Sequence, residues 1–354
     1  MNSKNLGVYV HVPFCMQKCN YCDFNSYANA QNYADNYVKA LIDEIESFSY
    51  EKCSCDTIFF GGGTPTLLSI DNLDRIMQAI SQKFYITDDA EISIETNPGI
   101  PVDFARLKAI GFNRVSIGAQ SVHDAELKIL GRIHTSDQIF ETFENVKKFF
   151  DNINIDLIYG LPKQSLASWR ATVDRIIQLA PQHISAYSLK IEEGTPFYTA
   201  GVEPAEEDTE REMYYYICEK SQYQRYEISN FAQKGYECKH NLKYWLREEY
   251  AGFGAGSHSQ VGNKRYSNKT GLQEYTKAKV KVKETIDIDD NEKQFEKIIL
   301  GLRLDRGICG NTFIRYEKQL EESIKDGLIE KNDEIYRLTK RGIDISNQVF
   351  VRFI

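Results

Sequence analysis

Between Phe14 and Asp23 the chain reads Cys15-Met16-Gln17-Lys18-Cys19-Asn20-Tyr21-Cys22, three cysteines in a C-x3-C-x2-C run. Three thiolates this close in sequence can share one inorganic centre. A structural zinc asks for four ligands, and disulfides ask for an even number of cysteines. A cubane [4Fe–4S] cluster suits three, because its fourth iron is then left to something that is not protein. A zinc knuckle completed by His11 or Asp23 is the plainer alternative, but it explains none of the features further along.

Those features fall in loops. Gly61-Gly62-Gly63-Thr64-Pro65, Glu95-Thr96-Asn97-Pro98, Gly118-Ala119-Gln120-Ser121 and Asp156 with Tyr159-Gly160-Leu161-Pro162 each close a short apolar run. The runs are Val8–Val12, Thr57–Phe60, Glu91–Glu95, Arg114–Ile117, Ile153–Ile158 and His183–Leu189. They are rich in β-branched residues and read as strands buried on both faces. Helical stripes lie between them. Tyr33, Tyr37, Leu41, Ile45 and Phe48 form one; Ser69–Phe84 carries Leu73, Ile76, Met77 and Ile80; Ser165–Ala180 carries Trp169, Val173, Ile176 and Ile177. This alternation predicts a parallel α/β architecture and leaves an open doubly wound sheet and a barrel equally placed. In either case the loops open on the C-terminal edge of the strands, where such folds keep their sites.

Composition narrows the function classes. With 42% hydrophobic and 27% charged residues among 354, and a net charge of −8, the chain reads as an ordinary soluble protein without the basic footprint of a nucleic-acid binder. No run approaches the roughly 18 apolar residues of a membrane span. Met1 to Phe14 lacks a small-residue cleavage site, so no signal peptide and a cytoplasmic location are expected, which suits reduced thiols. Eight cysteines in a chain of this length make no disulfide framework. Cys53, Cys55, Cys218 and Cys309 stand outside any ligand pattern and read as core or surface thiols.

After Leu189 the rhythm changes. Glu206 to Gln222 reads as an acidic, tyrosine-rich helix, and Tyr226 to Ser267 is dense in aromatics, His and Gly. From about Glu292 a smaller unit follows: a helix through Leu302, another around Asn311 to Lys325, a hairpin turn at Asn332-Asp333 and a closing helix from Thr339 to Val349. It looks like a winged helix, but Glu317, Glu321, Glu322, Asp326 and Glu330 suit a packing module better than a DNA reader. The expected division is 1–200, 201–290 and 291–354.

The cysteine run, with the glycine loop after the second strand, resembles the radical S-adenosylmethionine (SAM) superfamily. Val10-His11-Val12-Pro13-Phe14-Cys15, Phe60-Gly61-Gly62-Gly63-Thr64-Pro65-Thr66, Asp156-Leu157-Ile158-Tyr159-Gly160-Leu161-Pro162 and the C-terminal unit resemble one branch of it. That branch holds the oxygen-independent coproporphyrinogen III oxidases (HemN) and the HemW haem chaperones. The resemblance covers almost the whole chain. It implies a partial (β/α)6 barrel with a small C-terminal winged-helix-like α+β domain. It also implies a [4Fe–4S] cluster on Cys15, Cys19 and Cys22, and SAM on the open iron. One electron from the cluster can then cleave a carbon–sulfur bond of SAM to a 5′-deoxyadenosyl radical. Matching positions for SAM contacts are Tyr9, Tyr21, Gly62, Gly63, Thr64, Glu95, Gln120, Arg132 and Asp156. Glu95 and Asp156 suit an amine or ribose hydroxyls, and Arg132 suits a carboxylate. Taken singly, Gly61–Gly63 could be a tight turn and each charged residue a surface ion pair; their convergence on strand ends favours a site.

Two places separate the branches. The oxidases carry a fourth cysteine two residues after the third, where this chain has Phe24; Cys22-Asp23-Phe24-Asn25-Ser26 follows the chaperone pattern. The oxidases also have a longer segment before the first strand. His240-Asn241-Leu242-Lys243-Tyr244-Trp245 resembles the H-N-x-x-Y-W element linked to haem in the chaperones. Imidazole is a good axial ligand, Tyr244 and Trp245 could stack on a porphyrin, and Gly252-Phe253-Gly254-Ala255-Gly256 would let backbone approach it. Cys238 and His258 are secondary ligand candidates, and no C-x2-C-H occurs for thioether attachment. Without this match, His240 reads as a core or helix-start histidine. The expectation is a haem chaperone whose partners are haem, a haem-acceptor protein and an electron donor. The alternatives are an oxidase that decarboxylates coproporphyrinogen III propionates and a zinc-stabilised scaffold.

Overall fold

In the computed structural model, residues 5–49, 53–220 and 222–354 are described. Six strands carry the first half: β1 Leu6–Val12, β2 Ser54–Gly62, β3 Tyr85–Thr96, β4 Arg114–Gln120, β5 Ile153–Tyr159 and β6 His183–Ser188. Each expected strand is present; the first five reach beyond their apolar runs, and β6 ends at Ser188, one residue short of Leu189. Every successive pair is hydrogen-bonded in parallel. A doubly wound sheet reverses its strand order at a switch point; this one never does. Consecutive right-handed crossovers place every connecting helix on one face, so the sheet curls into the arc of a barrel.

The arc stays open. Beyond β6 lie two antiparallel strands, β7 Gln224–Glu227 and β8 Asn230–Ala232, with β8 against β6. On the other side, β1 pairs in parallel with β9 Tyr250–Phe253, followed by β10 His258–Val261, β11 Lys264–Asn268 and β12 Val282–Asp287. The result is a twelve-stranded mixed sheet, β12-β11-β10-β9-β1-β2-β3-β4-β5-β6-β8-β7. The stretch expected to be a connecting segment thus supplies both flanks of the barrel.

The helices form where the stripes lie. Helix α1, Ala34–Ser47, buries Tyr37, Val38, Leu41 and Ile45. Helix α2, Ile70–Lys83, starts where the Ser69 hydroxyl accepts the Asn72 N–H, and buries Leu73, Ile76, Met77 and Ile80. After α3, Phe104–Ile110, two helices connect β4 to β5: α4, Asp124–Leu130, and α5, Ser136–Lys147. Helix α6, Leu166–Leu179, capped by Ser165, buries Trp169, Val173 and Ile176. Each fully buried side chain of this kind contributes about 1.5–3 kcal/mol.

The longer helices on the route to the C-terminal unit are α7 Glu207–Cys218, α8 Lys239–Trp245 and α9 Asp290–Gly301. The unit itself packs around Ile298, Leu302, Phe313, Leu320, Leu328, Leu338, Val349 and Phe353. Its hairpin joins β13, Ile329–Asn332, to β14, Ile335–Leu338, through Asp333 at φ 53°. Two expected helices differ in detail. The segment from Asn311 begins as a 3-10 turn and becomes α10 only at Glu317–Lys325. The closing helix divides at Ile345, which leaves helical geometry, into α11 Lys340–Asp344 and α12 Ser346–Val351. Glu296 on α9 ties the unit to the sheet flank, accepting from Arg247 and Arg265 at 2.7 Å each.

Candidate functional site

The cysteine loop leaves β1 and lies against the C-terminal end of α4. Asn20 N–H donates to Leu130 O at 3.0 Å, Asn20 Nδ2 to Ile129 O at 2.9 Å, and Gln17 Nε2 to Gly131 O at 3.0 Å. The last carbonyls of a helix have no intrahelical partner, so α4 offers acceptors that the loop supplies with donors. The loop is therefore shaped by its backbone and amides, not by its cysteines. Cys15, Cys19 and Cys22 are free and half-buried. The Thr64 hydroxyl stands 4.0 Å from Cys15 Sγ and Arg132 Nη1 stands 3.6 Å from Cys19 Sγ. Among the described residues no three His, Cys, Asp or Glu side chains converge on a point that one metal ion could fill. A cubane, with one cysteine per iron, needs no such convergence.

The glycine loop packs onto this segment. Gly63 N–H reaches Val12 O and Thr64 N–H reaches Phe14 O, both at 2.8 Å. A Cβ on Gly62, at φ 109°, would meet the His11 ring at 2.4 Å, and one on Gly63 would meet Phe14 O at 2.6 Å. Gly62 N–H donates to Glu95 Oε2 at 3.2 Å. Asp156, the next acid, accepts from Ser116 Oγ at 2.7 Å and Asn154 Nδ2 at 2.8 Å. Burial, then the charge of Asp156, pushes the Glu95 carboxyl up to about 8. Arg132 Nη2 donates to Asn97 Oδ1 and Gly118 O, each at 2.5 Å. Gln120 ends β4 at φ 68°, an uncommon conformation for a side chain of its size.

These groups share a cavity of about 990 Å³, at the upper end of the volumes typical for small-molecule sites. Cys15, Cys19, Cys22 and Tyr21 line it, as do Gly62, Gly63, Glu95, Gln120, Arg132 and Asp156. Tyr9 and Thr64 are not on its wall. The Tyr9 hydroxyl is 3.0 Å from His11 Nδ1, and Thr64 Oγ1 accepts from Asn97 Nδ2 at 2.8 Å, so both brace the residues in front of them.

Asn241, Tyr244 and Trp245 of α8 line the same cavity. His240 does not. Its ring is 1% exposed, with Nδ1 2.9 Å from the Thr57 hydroxyl and Nε2 2.9 Å from the Tyr244 hydroxyl. Burial, then the charges of Lys243 and Arg114, pushes it down to about 3, so it is neutral with both nitrogens engaged. The Glu91 carboxylate accepts the N–H groups of Lys239 and His240 at 3.1 Å each, a favourable place for negative charge at a helix start. Neither secondary ligand candidate lies on the cavity wall. Cys238 is buried against Glu91 with its thiol pushed up to about 12, and His258 is an exposed residue of β10. Sequence reading missed Glu91, Tyr187, Arg303 and the Ile343–Gln348 segment, all but Glu91 on the cavity wall. No local pattern marks them, because tertiary packing brings them there.

The radical SAM superfamily model matches residues 9–176 and the HemN C-terminal domain model residues 288–345. The chain is 34% identical to the heme chaperone HemW of Lactococcus lactis subsp. lactis (strain IL1403), covering 100% of this chain and 98% of that one. It is also 34% identical to HemW of Bacillus subtilis (strain 168), over 98% and 99%, and 32% identical to HemW of Escherichia coli (strain K12), over 99% and 98%. The structure of coproporphyrinogen III oxidase (HemN) from Escherichia coli, a radical SAM enzyme, superposes with a TM-score of 0.86 over 99% of this chain and 90% of that one. At 24% identity that likeness speaks for the shared fold alone. Full-length identity to several relatives, on a partial barrel whose strand ends converge on three free cysteines, makes this chain a member of the HemW family of the radical SAM superfamily.

Proposed function

We propose that this protein is a haem chaperone: it holds a [4Fe–4S] cluster, SAM and haem in one cavity and passes the haem to an acceptor protein. The observation that carries the reading is continuity. The cysteines, the strand-end polar groups and the aromatic face of α8 line a single space.

Cys15, Cys19 and Cys22 would ligate the cluster. A cluster carrying SAM supplies one-electron cleavage of that cofactor's carbon–sulfur bond, given an electron donor. Glu95 and Asp156 would receive amine or ribose hydroxyls, Arg132 the carboxylate, and the Gly62–Gly63 backbone would leave room for close approach. Tyr21 and Gln120 complete the wall, while Tyr9 and Thr64 steady it from behind. Haem would lie against Asn241, Tyr244 and Trp245. His240 would ligate its iron through Nε2 after exchanging the Tyr244 hydroxyl; the neutral ring keeps the lone pair that ligation needs. Phe24, 60% exposed on the cavity rim, offers no thiol where the oxidases have one, which supports a carrier over an oxidase. In this reading residues 1–200 hold cluster and cofactor, 201–290 carry the haem element, and 291–354 close the cavity. No helix among the described residues is long and apolar enough to cross a membrane, and a cytoplasmic site of action belongs to the proposal.

The test is anaerobic. Cluster-reconstituted protein is given haem and an apo-acceptor in one tube, and coproporphyrinogen with SAM and reductant in another. Haem binding and transfer without porphyrinogen turnover is the expected result. Protoporphyrinogen in the second tube would overturn the carrier reading.

A further inference from the structure

Buried N–H donors without a partner are rare in folded proteins, since each gives up its hydrogen bonds to water and gains none in return. Among the described residues the side-chain cases are Arg114 Nε, Trp245 Nε1, Arg247 Nη2 and Arg303 Nε. Two of these, Trp245 and Arg303, line the cavity and touch each other: the Arg303 guanidinium lies over the indole ring, 4.3 Å from its centroid. Arg303 is also held in place. Its Nη2 donates to Glu227 Oε2 at 3.3 Å, and Glu227, 0% exposed, is fixed by the Ser229 N–H at 3.0 Å and the Asn230 amide. The stack and the ion pair leave Arg303 Nε–H and Trp245 Nε1–H, on two side chains stacked against each other, each without a partner.

A ligand group that satisfies both must accept two N–H bonds and tolerate a cation, which describes a carboxylate. SAM carries one, and so does a tetrapyrrole with propionate side chains. The strand ends already present Arg132 to the cofactor, whereas Arg303 adjoins Trp245 in the aromatic part of the cavity. We propose that Arg303 Nε–H and Trp245 Nε1–H anchor one propionate of a bound tetrapyrrole. The anchor rests on the haem reading above and sharpens it. It gives the C-terminal unit, which supplies Arg303, a direct part in holding the cargo.

The experiment compares haem with its dimethyl ester, which keeps ring and iron but masks both carboxylates. Full-length protein is titrated with each and followed by the Soret band. Wild type is expected to bind haem about tenfold or more tighter than the ester, the worth of a charge-assisted pair. Arg303→Met keeps bulk over the indole and should bind the two alike. Trp245→Phe should narrow the preference about fivefold; it leaves the Arg303–Glu227 pair intact should Arg303→Met fold poorly. SAM binding should be unchanged in both variants. A preference that survives in both variants overturns the anchor, as does loss of SAM binding in Arg303→Met with the haem preference kept, which would assign the pair to the cofactor. Wild type that binds haem and ester alike refutes only the anchor, whereas wild type that binds neither refutes the haem reading itself.

Discussion

The two ends of the cavity are built on opposite plans. At the cysteine loop the backbone is fixed by the end of α4, and the chemically active thiols are left free and half-buried, with only long contacts from Thr64 and Arg132. At α8 the most reactive side chain of its motif, His240, is bonded on both nitrogens and buried, while Asn241, Tyr244 and Trp245 face the cavity. A ligand site and a locked helix thus share a wall. The difference teaches that the residue a motif makes conspicuous need not be the residue the fold presents.

The largest expected effect tests the cysteine end. Cys19→Ala should abolish the cluster, read as lost iron and sulfide content and lost absorbance near the blue edge of the visible, with the fold intact. The loop is held by Asn20 and Gln17, so denaturation should shift by well under about 1 kcal/mol, as for half-exposed positions in general. A variant that unfolds would mean the cysteines shape the loop after all. His240→Ala should do the reverse. It leaves a cavity and strands the Thr57 and Tyr244 hydroxyls, so stability should drop by about 2–4 kcal/mol while cluster content is unchanged. The same variant should lose the haem spectrum's coordination change if His240 ligates iron. A stable variant with an unchanged haem spectrum would leave His240 without either role.

What could be read in advance follows the same divide. The six parallel strands were legible because each carries a run buried on both faces and rich in apolar residues, even where, as in β3, the strand begins exposed and acidic. The winding was not, since alternation of elements is common to barrels and open sheets; it emerged from the pairing. Strands β7 to β12 left little trace. Their segments are only three to six residues long, and β12 has every residue exposed, so no alternation marks a face. Cys15, Cys19 and Cys22 were legible because their spacing is local. The setting of His240 was not, because it depends on Thr57, 183 residues earlier, and on Glu91, 149 residues earlier.

A titration bears on the floor between the two ends. Folded, Glu95 keeps its proton up to about 8, whereas the unfolded chain releases it near 4.5. The native state then binds more protons than the unfolded state, so this carboxyl makes stability fall as pH rises from about 4.5 to about 8, and no further above. Glu95→Gln should remove that component. Cofactor-free variant should be the more stable protein at pH 8 and lose its advantage towards pH 4.5, as measured by urea denaturation across the range. An identical pH profile in the two proteins would mean that Glu95 is ionised and solvated, and that the cysteine end is wetter than its burial indicates.

The smallest change addresses the lock itself. Tyr244→Phe keeps the ring on the cavity wall and removes only the hydroxyl at 2.9 Å from His240 Nε2. Loss of one buried hydrogen bond should cost about 1 kcal/mol of stability. Its effect on haem should have the opposite sign. Ligation through Nε2 must displace that hydroxyl in wild type, and the variant has nothing to displace, so haem should bind about fivefold more tightly, the equivalent of the same bond. A protein that is less stable and a better haem binder is difficult to obtain from packing alone, where a loosened helix would weaken both. Weakened stability with unchanged or weaker haem binding would make Tyr244 and His240 partners in structure only. The cargo would then rest on Trp245 and its neighbours.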